Sequence, residues 1–158
     1  PMKYLSIALV GALLLAASPA FAMGGSDNKP ANTAKQDFET GKKAVYAAKY
    51  NEAITLMKKV LAVESKNADA HNYLGFSYRK QGNLKLAGLS YKAALDINPD
   101  HKGALEYQGE MYLKLGDLNA ARRNQAHLQS LCSSGCKELS ELTRAIADFR
   151  ATSPSRGS

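Results

Sequence analysis

The chain has 158 residues, of which 45% are hydrophobic and 8% aromatic, and its formal net charge is +7 at pH 7. This length accommodates one domain with a buried core and excludes a second one. A basic balance favours acidic partners, but the positive residues form scattered pairs such as Lys58-Lys59, with acidic residues between the pairs. Because long runs of like charge are absent, the pairs predict solvated helix faces and argue against a nucleic-acid interface.

Residues 1–22 have the order of a secretory signal peptide. Lys3 supplies a positive charge, an apolar segment runs from Leu5 to Ala17, and a small-x-small pattern ends at Ala22. The apolar segment is shorter than the ~20 residues that span a bilayer, so we expect cleavage after Ala22 and no permanent anchor. This predicts export, most simply to a bacterial periplasm.

Two polar segments flank the rest of the chain. Residues 23–33 are mostly small and polar and contain a proline, which is the composition of a flexible leader. Residues 151–158 have the same character and predict a flexible tail. The folded domain is therefore expected to span residues 34–150.

A repeat of 34 residues runs through the first part of this domain. A glycine and an alanine recur at that spacing in three copies: Gly41, Gly75 and Gly109, and Ala53, Ala87 and Ala121. Within a copy, apolar residues recur at steps of three and four, as on a helix that buries one face. Gly82 and Gly116 stand where a helix is expected to end. Each copy therefore predicts a helix hairpin, and the hairpins are expected to stack on one another.

The second copy, residues 68–101, resembles the tetratricopeptide repeat (TPR). It carries residue types that are typical of this family: Gly75, Tyr78, Gly82, Leu84, Ala87, Tyr91, Ala94 and Pro99. The copies at 34–67 and 102–135 keep fewer of them, and Ala44 and Ala48 replace the usual tyrosine and glycine in the first. The resemblance implies an all-α, right-handed solenoid of three helix hairpins.

Residues 136–150 follow the last copy and predict one more helix. Leu139, Leu142, Ile146 and Phe149 are spaced so that they share one helix face. The segment resembles the capping helix that covers the end of such a solenoid.

Cys132 and Cys136 are the two cysteines of the chain. In an exported protein such a pair predicts a disulfide. On an unbroken helix their Cβ atoms would lie ~5–6 Å apart, whereas a disulfide needs ~3.8 Å, so we expect Gly135 to break the helix between them. The alternative hypothesis is a thiol-redox or metal-binding pair, with His127 nearby.

Motifs of the common catalytic and phosphate-binding sites are absent from the sequence. His71, His101 and His127 occupy different positions of the repeat, so they are not expected to converge. Glu106 and Glu110 share a helix face, but a carboxylate pair of this kind is weak evidence for acid–base catalysis. The sequence predicts a protein that is not an enzyme and that needs no cofactor or metal.

The TPR resemblance implies a concave groove lined by the first helix of each copy. Asp69 and Gly103 occupy lining positions of this groove. The residues that we expect to bind a partner are aromatic, polar and charged: Lys42, Tyr46, Asn72, Tyr73, Phe76, Arg79, Glu106, Tyr107, Glu110 and Lys114. Aromatic anchors beside adaptable polar groups are typical of binding surfaces.

Some TPR proteins hold a terminal carboxylate with lysine and asparagine side chains in this groove. At those positions the chain has Phe38, Lys42, Tyr73 and Gly103, so this mode of binding is not expected. The resemblance implies a protein or peptide partner, here in the cell envelope, and no nucleic acid. Contact with a membrane is expected only through a partner or an uncleaved signal, and self-association is a further hypothesis.

Overall fold

The computed structural model describes residues 30–152, which form seven α-helices. The helices are α1 (Pro30–Tyr46), α2 (Tyr50–Val63), α3 (Ala68–Lys80), α4 (Leu84–Ile97), α5 (Lys102–Lys114), α6 (Leu118–Leu131) and α7 (Lys137–Thr152). Strands are absent from the described range, and none of its helices combines the length and apolarity needed to cross a membrane. The predicted all-α fold is confirmed. Residues 1–22, for which a signal peptide is predicted, lie outside the described range.

The helices form three hairpins, α1–α2, α3–α4 and α5–α6, that stack in chain order. The first helices of neighbouring hairpins also touch, because α3 contacts both α1 and α5. These three helices therefore lie side by side on one face of the solenoid. Helix α7 packs against α5 and α6 and covers the last hairpin.

The recurrent glycines sit where a neighbouring helix comes too close for a side chain. A Cβ atom on Gly75 would lie 2.7 Å from the ring of Tyr91, and one on Gly41 would lie 2.8 Å from the Met57 methyl group. Both partners belong to the second helix of the same hairpin. Gly109 differs, since its nearest neighbour is Leu142 of α7, also at 2.7 Å.

The turns inside the hairpins need a residue in the left-handed conformation. Gly82 and Gly116 adopt it with φ of +80° and +79°. At the matching position of the first hairpin, Ala48 adopts it with φ of +57°, which costs a residue that has a Cβ atom about 1–2 kcal/mol. The next helices begin with Asn83 and Asp117 as side-chain N-caps, whereas α2 has no side-chain cap.

The ends of the domain differ from the prediction at two places. Helix α1 begins at Pro30, so residues 30–33 are helical and do not belong to a flexible leader. Proline is favourable as the first residue of a helix because its missing N–H has no partner there, and Ala34 in the next turn is buried. Helix α7 continues two residues past Arg150, to Thr152, whose hydroxyl donates to the Asp148 carbonyl.

Candidate binding groove

A cavity of about 240 Å³ opens on the face where α1, α3 and α5 lie side by side. We call it the groove pocket. Its lining comes from four helices and one loop: Tyr46, Asp69, Asn72, Tyr73, His101, Gly103, Glu106, Tyr107, Lys137 and Glu138. All three hairpins and the capping helix therefore contribute to one site.

Tyr73 is the centre of the aromatic wall. Its ring packs edge-on against Phe38 and Tyr46, with centroids 5.9 Å and 6.5 Å away, and its hydroxyl lies 3.4 Å from that of Tyr46. Burial raises the pKa of Tyr73 well above its ordinary value and raises that of Tyr107 to about 12. Both phenols are therefore neutral at physiological pH and available as hydrogen-bond donors.

Arg79 contacts several side chains that lie beside the groove pocket. Its Nη1 atom lies 2.5 Å from Oε2 of Glu110, and its Nε donates to the Tyr91 hydroxyl at 3.3 Å. The guanidinium group also lies over the rings of Phe76 and Tyr107, at 5.3 Å and 5.4 Å. Because the side chain is only 4% exposed, Arg79 serves to position these aromatic rings and is not free to reach a ligand.

Asn72 is a buried polar residue of the pocket wall. It is 4% exposed, and its Oδ1 atom has no hydrogen-bond partner among the described residues. The neighbouring position is Gly103, where a Cβ atom would lie 3.2 Å from Nδ2 of Asn72. An unpaired buried acceptor costs about 1–3 kcal/mol, so this arrangement destabilises the folded domain.

Glu106 is a second buried acceptor and is 6% exposed. Burial raises its pKa from 4.5 to about 7, and the nearby carboxylates of Glu110, Glu138 and Glu141 add to the effect, while Lys137 opposes it. The ion pairs in the described part of the chain do not include Glu106.

His101 joins the loop before α5 to the rim of the pocket. Its Nδ1 accepts the backbone N–H of Ala104 at 3.1 Å and so caps α5. The ring proton consequently lies on Nε2, which donates to Oδ1 of Asp69 at 3.0 Å. This histidine links α3 to α5 at the pocket edge, a role that its position in the repeat did not indicate.

The structure brings part of the predicted binding set together. Five predicted residues line the groove pocket: Tyr46, Asn72, Tyr73, Glu106 and Tyr107. Three more form the adjoining stack: Phe76, Arg79 and Glu110. Lys42 and Lys114 do not line the pocket. The prediction also missed Lys137 and Glu138, because α7 lies outside the repeat. The sequence contained one signal for this contribution of α7. Gln125 occupies the position in the third hairpin that Tyr91 occupies in the second, 16 residues after the recurrent glycine, and its polar side chain indicates that Gly109 is covered by another helix.

Cys132 and Cys136 lie at disulfide distance, with their Cα atoms 5.7 Å apart. Helix α6 ends at Leu131, and Gly135 adopts a φ of +87°, so the expected helix break is present. Cys132 is buried, whereas reactive thiols are usually exposed, which favours a structural role. His127 points to Asp100, at 2.8 Å. Groups of three or more metal-ligating side chains are absent from residues 30–152.

The fold and the groove define a helical-hairpin repeat protein. A family model described as tetratricopeptide repeat matches residues 38–102 and 77–125. The chain belongs to the tetratricopeptide repeat family. Among curated proteins no significant sequence match is found.

Solved structures of TPR proteins have the same fold. The second TPR domain of the human RPAP3 protein, solved in complex with an HSP70 peptide, is 20% identical, with a TM-score of 0.66 over 77% of this chain and 98% of that one. The Yersinia enterocolitica type III secretion chaperone SycD, in complex with a peptide of the translocator YopD, is 18% identical, with a TM-score of 0.65 over 77% and 92%. The Arabidopsis OM64 TPR domain is 14% identical, with a TM-score of 0.68 over 75% and 98%.

Proposed function

We propose that this protein is a non-catalytic protein-interaction module that binds a peptide segment of a partner in the groove pocket. The observation that carries the proposal is a single cavity lined by three hairpins and the capping helix, with Tyr46, Tyr73 and Tyr107 in its wall. Concave sites where aromatic side chains and converging polar groups meet are typical of ligand binding. The RPAP3 and SycD structures each hold a peptide, which supports the same use of the fold here.

The side-chain stack that adjoins the groove pocket keeps one wall of the pocket ordered. The Arg79–Glu110 ion pair and the stacked rings of Phe76 and Tyr107, 4.8 Å apart, are in contact with one another. A wall whose side chains are already ordered loses less conformational entropy when a partner binds. Tyr46, which is 73% exposed, provides the solvent-exposed edge of the site.

We further propose that the protein works after export, as a periplasmic adaptor whose partner belongs to the cell envelope. The support comes from the signal-like residues 1–22 and from the cysteine pair at disulfide distance, since disulfides persist in oxidising compartments. Fractionation of the source cells tests this proposal, which predicts a periplasmic protein that begins at Met23. A cytoplasmic protein that keeps residues 1–22 would contradict it.

A pull-down with two variants tests the binding site. Tyr46→Ala removes an exposed groove side chain without opening the core, so a partner recovered from envelope extract by the wild type should be largely lost. Leu89→Ala is the matched control, because Leu89 is a 58% exposed apolar residue of α4, which does not line the pocket. Equal recovery by wild type and both variants would place the partner elsewhere on the surface.

A further inference from the structure

Two side chains of the groove pocket are acceptors without partners. Oδ1 of Asn72 is buried and makes no hydrogen bond within residues 30–152. The Glu106 side chain is only 6% exposed and takes part in none of the ion pairs there. Buried polar groups in folded proteins are almost always paired, so the unpaired Asn72 acceptor beside the Glu106 carboxylate points to a ligand that donates hydrogen bonds.

The charges around the pocket indicate a positive ligand. Asp69, Glu106 and Glu138 line the cavity, and Lys137 is the only Lys or Arg among its lining residues in the described structure. His101 has its Nδ1 occupied by a backbone N–H and its Nε2 directed at Asp69. The lining is therefore acidic once Glu106 is ionised, and an anionic group would meet repulsion there.

The dimensions and walls of the pocket suit one long side chain. About 240 Å³ is below the ~300–1,000 Å³ of sites for drug-sized ligands. Tyr46, Tyr73 and Tyr107 line the cavity, and cations bind favourably to aromatic side chains. Gly103 leaves room beside Asn72 that a side chain at this position would occupy.

We propose that the groove pocket is a subsite for a lysine or arginine side chain of the bound peptide, with Asn72 and Glu106 accepting its N–H groups. This inference rests on the proposed peptide-binding function and names the chemistry of the partner. The ammonium or guanidinium group donates to the Glu106 carboxylate and, once the Asn72 side chain turns its buried Oδ1 atom towards the cavity, to that oxygen. Its alkyl stem packs against the tyrosines. Specificity follows because a neutral side chain leaves the carboxylate uncompensated.

Titration by NMR with small blocked amino acids tests the subsite on the full exported chain. The cationic probes are N-acetyl-arginine and N-acetyl-lysine N-methylamide, and the neutral probe is the citrulline analogue, which has nearly the shape of arginine. We expect the cationic probes to shift the Asn72 side-chain amide and the Gly103 backbone amide. Citrulline should bind at least about tenfold more weakly, because charge-assisted hydrogen bonds are about twice as strong as neutral ones.

Three variants separate the subsite from general electrostatics. Glu106→Gln should weaken the arginine probe about tenfold or more, while Asp96→Asn, which removes the same charge from an exposed residue of α4, should leave it unchanged. Asn72→Leu should lose the response and raise the melting temperature, because it removes an unpaired acceptor. Two results would overturn the proposal. One is a citrulline analogue that binds as tightly as the arginine probe, and the other is an unchanged affinity of Glu106→Gln for the arginine probe.

A further probe distinguishes a side chain from a chain terminus. Glycine N-methylamide presents only an α-amine, and binding as strong as that of N-acetyl-lysine N-methylamide would overturn the side-chain assignment. The inference can also fail while the proposed function stands. In that case Tyr46→Ala would no longer bind the partner peptide, whereas Glu106→Gln would bind it as tightly as the wild type does.

Discussion

The second and third hairpins solve the same packing problem in different ways. Gly75 of the second hairpin is covered by Tyr91 from the same hairpin, while Gly109 of the third is covered by Leu142 from α7. The residue that corresponds to Tyr91 in the third hairpin is Gln125, which is polar and not buried. The third hairpin therefore depends on the capping helix for its core. This dependence also brings the first turn of α7, with Lys137 and Glu138, to the groove pocket.

The largest expected effect comes from removing the capping contact. Leu142 is fully buried in the cluster that joins α5, α6 and α7. Leu142→Ala should lower the free energy of unfolding by about 2–5 kcal/mol, measured by urea denaturation. The exposed control Leu89→Ala should change it by less than about 0.5 kcal/mol. A loss below 1 kcal/mol in Leu142→Ala would mean that α7 is dispensable for the third hairpin.

Opening the cysteine pair tests the attachment of α7 more locally. The loop closed between Cys132 and Cys136 is short, so replacing both with serine should cost about 2 kcal/mol. Hydrogen exchange should accelerate in α7 and leave α3 unchanged, since the pair lies beside α7. If the oxidised wild type and the double variant exchange alike throughout α7, the pair does not hold that helix.

Glu106 gives the third hairpin a pH dependence. Its pKa is about 7 in the folded protein and near 4.3 in an unfolded chain, so the folded state binds the proton more tightly. Stability from this group is therefore present below pH ~4 and is lost as the pH rises towards 7. Glu106→Gln should raise the free energy of unfolding at pH 8 by about 1–2 kcal/mol and flatten its slope between pH 5 and 8.

Several other charged groups surround Glu106, so the measured pH dependence needs a control variant. Glu110 lies on its own helix, Glu138 and Glu141 approach from α7, and Lys137 opposes them; Asp69 of α3 and His101 also line the pocket. The control is Asp96→Asn on α4, which should keep the wild-type slope. An unchanged slope in Glu106→Gln would assign the pH dependence to another group.

Affinity for a cationic probe should rise with pH through about 7, as the carboxylate ionises.

The smallest expected effect concerns the first hairpin, where Ala48 occupies the position of Gly82 and Gly116. Ala48→Gly removes a Cβ atom from the left-handed conformation and should stabilise the protein by about 0.5–1 kcal/mol. Ala47→Gly is the control, because Ala47 does not have positive φ, and the change should destabilise slightly. Thermal unfolding of the two variants gives the comparison, and equal shifts would contradict the account of this turn.

The sequence predicted those features that recur in the repeat. The register of Gly41, Gly75 and Gly109 indicated the stacked hairpins, and the glycine before Cys136 indicated the break that precedes α7. The predicted leader extended too far, to residue 33, because residues 30–33 have the polar composition of a linker. Composition does not show that the following Ala34 is buried.

The site was predicted only in part, because a pattern shows which face a residue occupies and not what it contacts. Arg79 and Glu110 were expected to reach a ligand, yet they pair with each other across neighbouring hairpins at 2.5 Å. Lys137 and Glu138 have no repeat position, so no register could place them. His101 was treated as one of three unrelated histidines, although its position before α5 allows it to cap that helix.

Site-specific photo-cross-linking tests the central claim most directly. A photoreactive phenylalanine analogue at position 46 lies at the groove pocket, and one at position 89 lies on the exposed face of α4. In the source cells, position 46 should form an adduct with one defined partner segment, and Tyr73→Ala should reduce that adduct strongly. Adducts that arise from position 89 and not from position 46 would contradict the assignment of the groove pocket as the binding site.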